Sequence, residues 1–227
     1  MGKDTDDTGS GGKSIALEAR TTKEDGRRFS PSAARNREPL AEAFASAMPL
    51  DGTILEIASG TGEHGAYLAC RFPLLRWIYS DVDGISMDSQ RAWAGLSEAA
   101  DRLSGPYRLD ASKSDWGEVE AIGTLKGIFC ANMIHIAPFA AAEGLLRGAG
   151  RILRTGGKLF LYGPFSRAGA MAESNAQFSS DLKRRDPGWG VRDLERELMP
   201  IAHEAGLHLD TVIGMPANNL SVVFTKN

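Results

Sequence analysis

No stretch of the 227 residues carries 18 consecutive apolar side chains, so no candidate membrane helix stands out. The N-terminus lacks the basic-then-apolar layout of a secretory leader, and cytoplasmic residence is the expectation. Cysteine is scarce. Cys70 and Cys130, the two present, lie far apart in apolar surroundings and read as structural thiols of a reducing compartment. There is no CxxC and no HExxH, so a zinc site is not expected. Positive charge is not in excess either: the net charge of −3 argues against a protein held to nucleic acid by phosphate contacts. With nucleic acid and membrane set aside, the expected partner is a small-molecule substrate, and the expected state is a monomer or homodimer.

What is present is enough for a core, since 42% of the residues are hydrophobic. Residues 1–28 are the exception. Rich in Gly, Ser, Thr, Asp and Lys, they are expected to form a flexible extension, because they bury too little to offset their ordering entropy. Residues 29–227 then read as a single domain. Ser30-Pro31 has the form of an N-cap followed by Pro at the first helical position. Asn36 looks like a second cap with Pro39 in the first turn, and Leu40, Ala43, Phe44 and Ala47 mark a buried helix face. Short apolar runs follow at 53–58, 76–80, 107–109, 127–131 and 158–162, with helical patterns between them. One of these patterns, through Leu145, Leu146, Ala149, Ile152 and Leu153, is expected to stop at a Gly156-Gly157 C-cap. Strands alternating with helices predict an α/β fold, a parallel sheet covered on both faces. The runs at 207–215 and 220–225 are too close for a crossover and must form an antiparallel hairpin that closes the sheet.

The densest chemistry lies in Leu55-Glu56-Ile57-Ala58-Ser59-Gly60-Thr61-Gly62-Glu63-His64-Gly65. A strand runs into a Gly-rich turn and then a helix, the arrangement that lets a ligand approach the backbone closely. Gly60, Gly62 and Gly65 satisfy G-x-G-x-x-G, which admits NAD or FAD as well as S-adenosylmethionine (SAM). Asp81, about 20 residues past the turn, suits a ribose in either case. Glu56 tilts the choice toward SAM, because dinucleotide enzymes usually place an apolar residue there. Leu109-Asp110-Ala111 offers a carboxylate and an N–H to an adenine edge. Asn132-Met133-Ile134-His135 brings polar groups to the same carboxyl edge of the sheet. Blander roles stay open: Asp81 or Asp110 as helix caps, and Glu56 satisfied by the backbone.

Further blocks complete the pattern. They are Arg28-Phe29-Ser30-Pro31-Ser32-Ala33 through Arg35-Asn36 and Pro39-Leu40, Ser80-Asp81-Val82-Asp83, Ser174-Asn175, Arg185-Asp186-Pro187-Gly188-Trp189-Gly190-Val191-Arg192-Asp193-Leu194, and Met215-Pro216-Ala217-Asn218-Asn219-Leu220. With these, residues 53–227 resemble class I SAM-dependent methyltransferases with their Rossmann-like fold. Within that class the chain is similar to a small methyltransferase-like family long filed as a domain of unknown function. The resemblance implies SAM as cofactor, Gly60 and Gly62 near its methionyl group, Asp81 at the ribose, and Asp110 with Ala111 at the adenine. The extension before Arg27 departs from the family pattern.

The candidate cofactor-binding residues are therefore Arg35, Asn36, Glu56, Ala58, Gly60, Thr61, Gly62, Asp81, Asp110, Ala111 and Asn132, with Arg35 suited to a carboxylate. A methyl transfer to a neutral hydroxyl or amine benefits from a base, and His135 or His64 could serve near neutral pH. Tyr162, Phe165, Trp189 and Arg192 are the candidate substrate wall, the last two in a connector long enough to act as a lid. No acidic pair follows the fourth strand, so the transfer is expected to be metal-independent. Two other readings compete: a nicotinamide- or flavin-dependent oxidoreductase on the same turn, and a non-catalytic methyltransferase-fold scaffold.

Overall fold

The computed structural model describes residues 18–227. After helix α1 (Pro31–Ala47), strands β1 (Asp51–Ile57), β2 (Leu74–Asp81) and β3 (Leu103–Arg108) alternate with helices α2 (Glu63–Arg71) and α3 (Gly84–Leu96). Then come β4 (Leu125–Ala131), α4 (Phe139–Ile152), β5 (Leu153–Ser166), α5 (Glu173–Arg185), α6 (Met199–Glu204), β6 (Leu207–Met215) and β7 (Asn219–Lys226). The main path of the sheet runs β3-β2-β1-β4-β5-β7-β6, and the two-residue strand Arg192–Asp193 pairs parallel with the end of β5. β7 pairs antiparallel with both β5 and β6, so the expected hairpin closes the sheet by inserting its second strand next to β5. This is the Rossmann-like arrangement of class I methyltransferases. Among the described residues, no helix is long and apolar enough to cross a membrane.

Period-two alternation explains the two cores. Leu55, Ile57, Ile128, Cys130, Leu159 and Leu161 face α4 and α6. Ile54, Phe129, Phe160 and Val223 face α1 and α2 on the other side. There Phe44 of α1 packs against Phe72, Trp77, Phe129 and Phe160. Strand order reverses between β1 and β4. The crevice beyond their carboxyl ends is therefore the topological switch point where open α/β sheets take ligands.

Several expectations change. The helix predicted from a second cap at Asn36 is one helix that starts at the Ser30 cap, with Pro39 inside it. Asn36 is thus an ordinary helical residue with its amide free to reach sideways. α4 ends at Ile152 and Leu153 enters β5 directly, so Gly156-Gly157 is not its C-cap. That pair lies where the β4–β5 register shifts, between the Leu125↔Leu153 and Gly127↔Lys158 partners. β3 begins at Leu103, earlier than the run at 107–109 suggested, because Ser104, Gly105 and Pro106 carry no strand signal. Asp110, open as a helix cap, precedes no α-helix before β4; a short 3-10 turn spans Gly117–Ala121 instead. Residues 18–28, expected to be flexible, are structured: Thr21–Thr22 pairs antiparallel with Arg28–Phe29. The rest of the expected extension lies outside the described residues.

α4 lies so close to the loop after β3 that a methyl on Gly144 would overlap the Ala111 carbonyl oxygen. Gly144→Ala should therefore lower stability in urea unfolding by about 1–3 kcal/mol, the usual cost of overpacking. Gly95→Ala in α3, where a methyl meets nothing within 4 Å, should cost nothing. Equal stabilities for the two variants would contradict this packing.

Candidate functional site

The turn after β1 departs from ordinary backbone at three alternate positions. Ala58 (φ 56°), Gly60 (φ 56°) and Gly62 (φ 90°) are left-handed, a conformation that is free for glycine and mildly strained for Ala58. Two carboxylates hold this turn. Asp81 Oδ2 accepts from the Gly60 amide at 2.8 Å and from Gln90 Nε2 at 3.2 Å. Its Oδ1 accepts from the amides of Val82 and Asp83 at 2.8 and 3.0 Å. Asp81 does not cap α3. Asp83 does, accepting from the Ser86 amide at 3.0 Å. Burial pushes the Asp81 carboxyl above the usual range against the pull of these donors. Glu63 does the same work on the other side, accepting from Thr61 Oγ1 at 3.1 Å and from the Ser30 amide at 2.6 Å.

Glu56 lies beneath the turn rather than in the crevice. Its carboxyl is buried on the aromatic face of the sheet and accepts from Trp77 Nε1 at 2.8 Å. Desolvation raises it from 4.5 to about 8. Its partner is an indole and not the backbone, and the contact is structural.

At the end of β4, Asn132 is left-handed (φ 62°), and its amide donates to the Tyr162 carbonyl at 2.7 Å. Asn132 and His135 converge over Gly163 of β5. A methyl there would stand 2.6 Å from His135 Nε2 and 3.2 Å from Asn132 Oδ1. His135 is 1% exposed, lies edge-on to Phe165, and neither ring nitrogen has a hydrogen-bond partner. Burial, with the nearby Arg192 charge, lowers it to about 3. On the α1 side His64 Nε2 pairs with Asn36 Oδ1 at 2.8 Å, and burial lowers His64 to about 4. Neither histidine is poised near neutrality as expected. Desolvation keeps both rings uncharged. The hydroxyl of Tyr162 lies against Asn36 and the Arg35 charge, and its burial raises its pKa.

The structure thus brings Asn36, His64 and Tyr162 together on one side of the crevice, and Asn132, His135 and Phe165 on the other. Asp110 stands exposed past the end of β3, accepting from the Ser112 amide and hydroxyl at 2.9 and 2.7 Å, with Ala111 buried beside it. Arg35 is exposed at the start of α1. Arg192 does not face the crevice as a free cation. Its guanidinium donates to the carbonyls of Ile134, Ala137 and Gly188 at 2.9, 2.8 and 2.7 Å, clamping the connector over His135. The Gly190 amide adds a bond to the His135 carbonyl at 2.9 Å. Trp189 is half-buried in the same connector. Sequence reasoning passed over Gln90, Ser89 and Glu63. Glu63 had a signal, an acid in the first turn after the glycines. Gln90 and Ser89 had none, being polar residues inside a helix.

The arrangement fits a nucleoside carrying a charged amino-acid tail. Gly60 and Gly62 remove side chains from the turn, an acid stands at each of the β2 and β3 ends, and a buried imidazole without a partner among the described residues packs against Gly163 beyond the β4 end. Two open depressions elsewhere, about 550 Å³ along α5 and about 510 Å³ between α1 and β6, contain none of these groups.

The family described as "Protein of unknown function (DUF938)" matches residues 27–226. Among solved structures, the chain is similar to an O-methyltransferase family protein from Burkholderia thailandensis. That match has a TM-score of 0.69 at 15% identity, covering 86% of this chain and 57% of that one. It is also similar to CalO1, a methyltransferase in calicheamicin biosynthesis in its SAH-bound form (TM-score 0.69, 18% identity, 86% and 54% covered). A third similar structure is an O-methyltransferase family 2 protein from Planctomyces limnophilus in complex with apigenin (0.68, 19%, 86% and 60%). The chain spans little more than half the length of these proteins, and at such identities the likeness establishes the fold.

Because Glu56 keeps its proton in the folded state up to about pH 8 but releases it near 4.5 when unfolded, stability should fall as pH rises through that window. Glu56→Gln removes this slope. In urea unfolding it should gain on the wild type by more than about 1.4 kcal/mol, one pKa unit's worth, between about pH 5 and about pH 8. Parallel pH profiles for the two proteins would contradict a buried, protonated Glu56.

Proposed function

The chain belongs to the family described as "Protein of unknown function (DUF938)", and from that membership and the geometry of the crevice we propose that it is a SAM-dependent methyltransferase acting on a small-molecule acceptor. The observation that supports this best is the pairing, across one switch point, of an open glycine turn with a buried imidazole lacking any partner. The first suits a cofactor and the second an acceptor. When bound, SAM supplies an electrophilic methyl on a positively charged sulfur. Gly60 and Gly62 would take its methionyl part, Asp81 its ribose, and Asp110 with Ala111 its adenine.

The residues of the chain then have three tasks. The connector held by Arg192 excludes water from the ring of His135, which strengthens every polar contact made there. Asn132, Tyr162 and Phe165 orient the acceptor so that its nucleophilic atom lies in line with the methyl. His135 accepts the hydrogen bond of the acceptor's hydroxyl or amine at a ring nitrogen. It enters neutral, and its low proton affinity in this dry site makes it a holder of that hydrogen bond until charge develops. His64, already paired with Asn36, positions α1 over the crevice. This chemistry requires no metal, and the β4 end offers Ala131, Asn132 and Met133 where a carboxylate pair would otherwise stand.

Calorimetry should show micromolar binding of SAM and S-adenosylhomocysteine (SAH) by the wild type. Asp81→Ala, measured below its own, lower melting temperature, should bind at least tenfold more weakly, or about 1.4 kcal/mol. A folded wild type that binds neither ligand but binds NADH would replace this reading with an oxidoreductase. His135→Asn should keep SAH affinity within about twofold. With an acceptor found by mass-spectrometric screening it should lose at least about 100-fold in kcat, in line with the usual worth of such groups. An unchanged kcat would remove His135 from the mechanism.

A further inference from the structure

The segment before α1 lies partly outside the family match, which begins at residue 27, yet it is docked on the glycine turn. One anchor is Glu18, whose carboxylate accepts from Ser30 Oγ, from the Ser32 amide at 3.1 Å and from Ser32 Oγ at 2.6 Å. A second is the pairing of Thr21–Thr22 with Arg28–Phe29. The third is α3. The Arg28 amide donates to Ser89 Oγ at 2.8 Å, Ser89 Oγ donates to the Thr61 carbonyl at 2.7 Å, and Trp93 Nε1 donates to the Arg28 carbonyl at 3.3 Å. Phe29 packs edge-on to Trp93 with ring centroids 5.2 Å apart.

Arg20 sits between these anchors. Its terminal nitrogen comes within 3.7 Å of where a side chain on Gly60 would begin. The charges of Arg28, Asp81, Glu18 and Asp83 all act on it. Those carboxylates are committed elsewhere: Asp81 to Gly60, Gln90 and its own following amides, Asp83 to the α3 cap, and Glu18 to the serines. The Nε atoms of both Arg20 and Arg28 are buried without a hydrogen-bond partner among the described residues. Two neighbouring guanidiniums with orphaned donors repel one another unless an anion lies between them, and a planar fork takes an oxyanion such as a carboxylate in bidentate fashion.

We propose that Arg20 and Arg28 form a two-arginine clamp for a carboxylate, that of the amino-acid tail of the cofactor lying on the Gly60 turn. The clamp rests on the methyltransferase reading above and adds to it a residue, Arg20, that the family-matched region does not supply. Glu18 and the Thr21–Thr22 pairing hold the strap so that both forks converge, and the cofactor in turn fastens the strap across the mouth of the site.

The test compares SAH with decarboxylated SAH, which differs only in lacking the carboxylate, by calorimetry on the full chain. Wild type should prefer SAH by at least about tenfold. Arg20→Gln should lose that preference, weakening SAH at least about tenfold while leaving the decarboxylated ligand within about twofold. Arg28→Gln, with melting temperatures measured in parallel, should show the same pattern, and Arg20→Lys should fall between wild type and Arg20→Gln. Unchanged SAH affinity in Arg20→Gln overturns the clamp while leaving the methyltransferase reading standing, as does equal weakening of both ligands. Failure of the wild type to bind either ligand overturns the methyltransferase reading itself, and the clamp with it.

Discussion

The hydrogen bond from the Gly60 amide to the Asp81 carboxylate joins two elements that are 21 residues apart in sequence. It fixes the glycine turn against the end of β2, and Gln90 completes the joint by donating to both Asp81 and the Gly60 carbonyl. From there the connections spread. The Thr61 carbonyl accepts from Ser89, which in turn receives the Arg28 amide, while Glu63 in the first turn of α2 receives the Ser30 amide at the head of α1. One buried carboxylate thus sets the turn, and the turn sets both the strap and the helix that border the crevice. The strained Ala58 and the raised Asp81 carboxyl are the local costs of this arrangement, and both fall at the site, where such costs usually collect.

The two faces of the crevice differ in physical character. On the glycine-turn side the groups are backbone amides, glycines and carboxylates, with the guanidinium of Arg20 near Gly60. The β4 side is drier. His135 and Phe165 are buried beside a connector whose hold comes from three carbonyls accepting from one arginine. Arg192 therefore affects chemistry indirectly. By closing residues 186–191 over β4 it removes water from His135 and keeps that ring neutral. A polar ring without partners among the described residues is an expensive thing to bury.

Much of this was legible in the residue order. The alternation of strand and helix, the Gly60-x-Gly62 turn, Asp81 at the end of β2 and the terminal hairpin all follow from periodicity and turn chemistry within short windows. Other features were hidden for identifiable reasons. After Leu103, β3 continues through Ser104-Gly105-Pro106, residues with no strand propensity that are carried into the sheet by pairing with β2. Asn36 resembled a cap because Pro39 follows it, but burial of Leu40 and Phe44 keeps the helix continuous through that proline. Glu56 read as a cofactor-binding candidate, yet its partner, Trp77, comes from a neighbouring strand that the local sequence could not indicate. Residues 18–28 lacked apolar content, and their order comes from Glu18, Phe29 and Trp93 meeting across the chain.

Local pattern, then, accounts for the fold class, the order of elements and the ligand-bearing edge of the sheet. Those depend on spacings of two, three or four residues along one segment. The roles of individual side chains depend on contacts between segments tens of residues apart, and these form only when the sheet assembles. Packing made Arg192 a clamp and left both histidines uncharged at neutral pH. It also brought Arg20 over Gly60 and into the field of Arg28, because burial and pairing are properties of the space around a side chain and not of its neighbours in the chain.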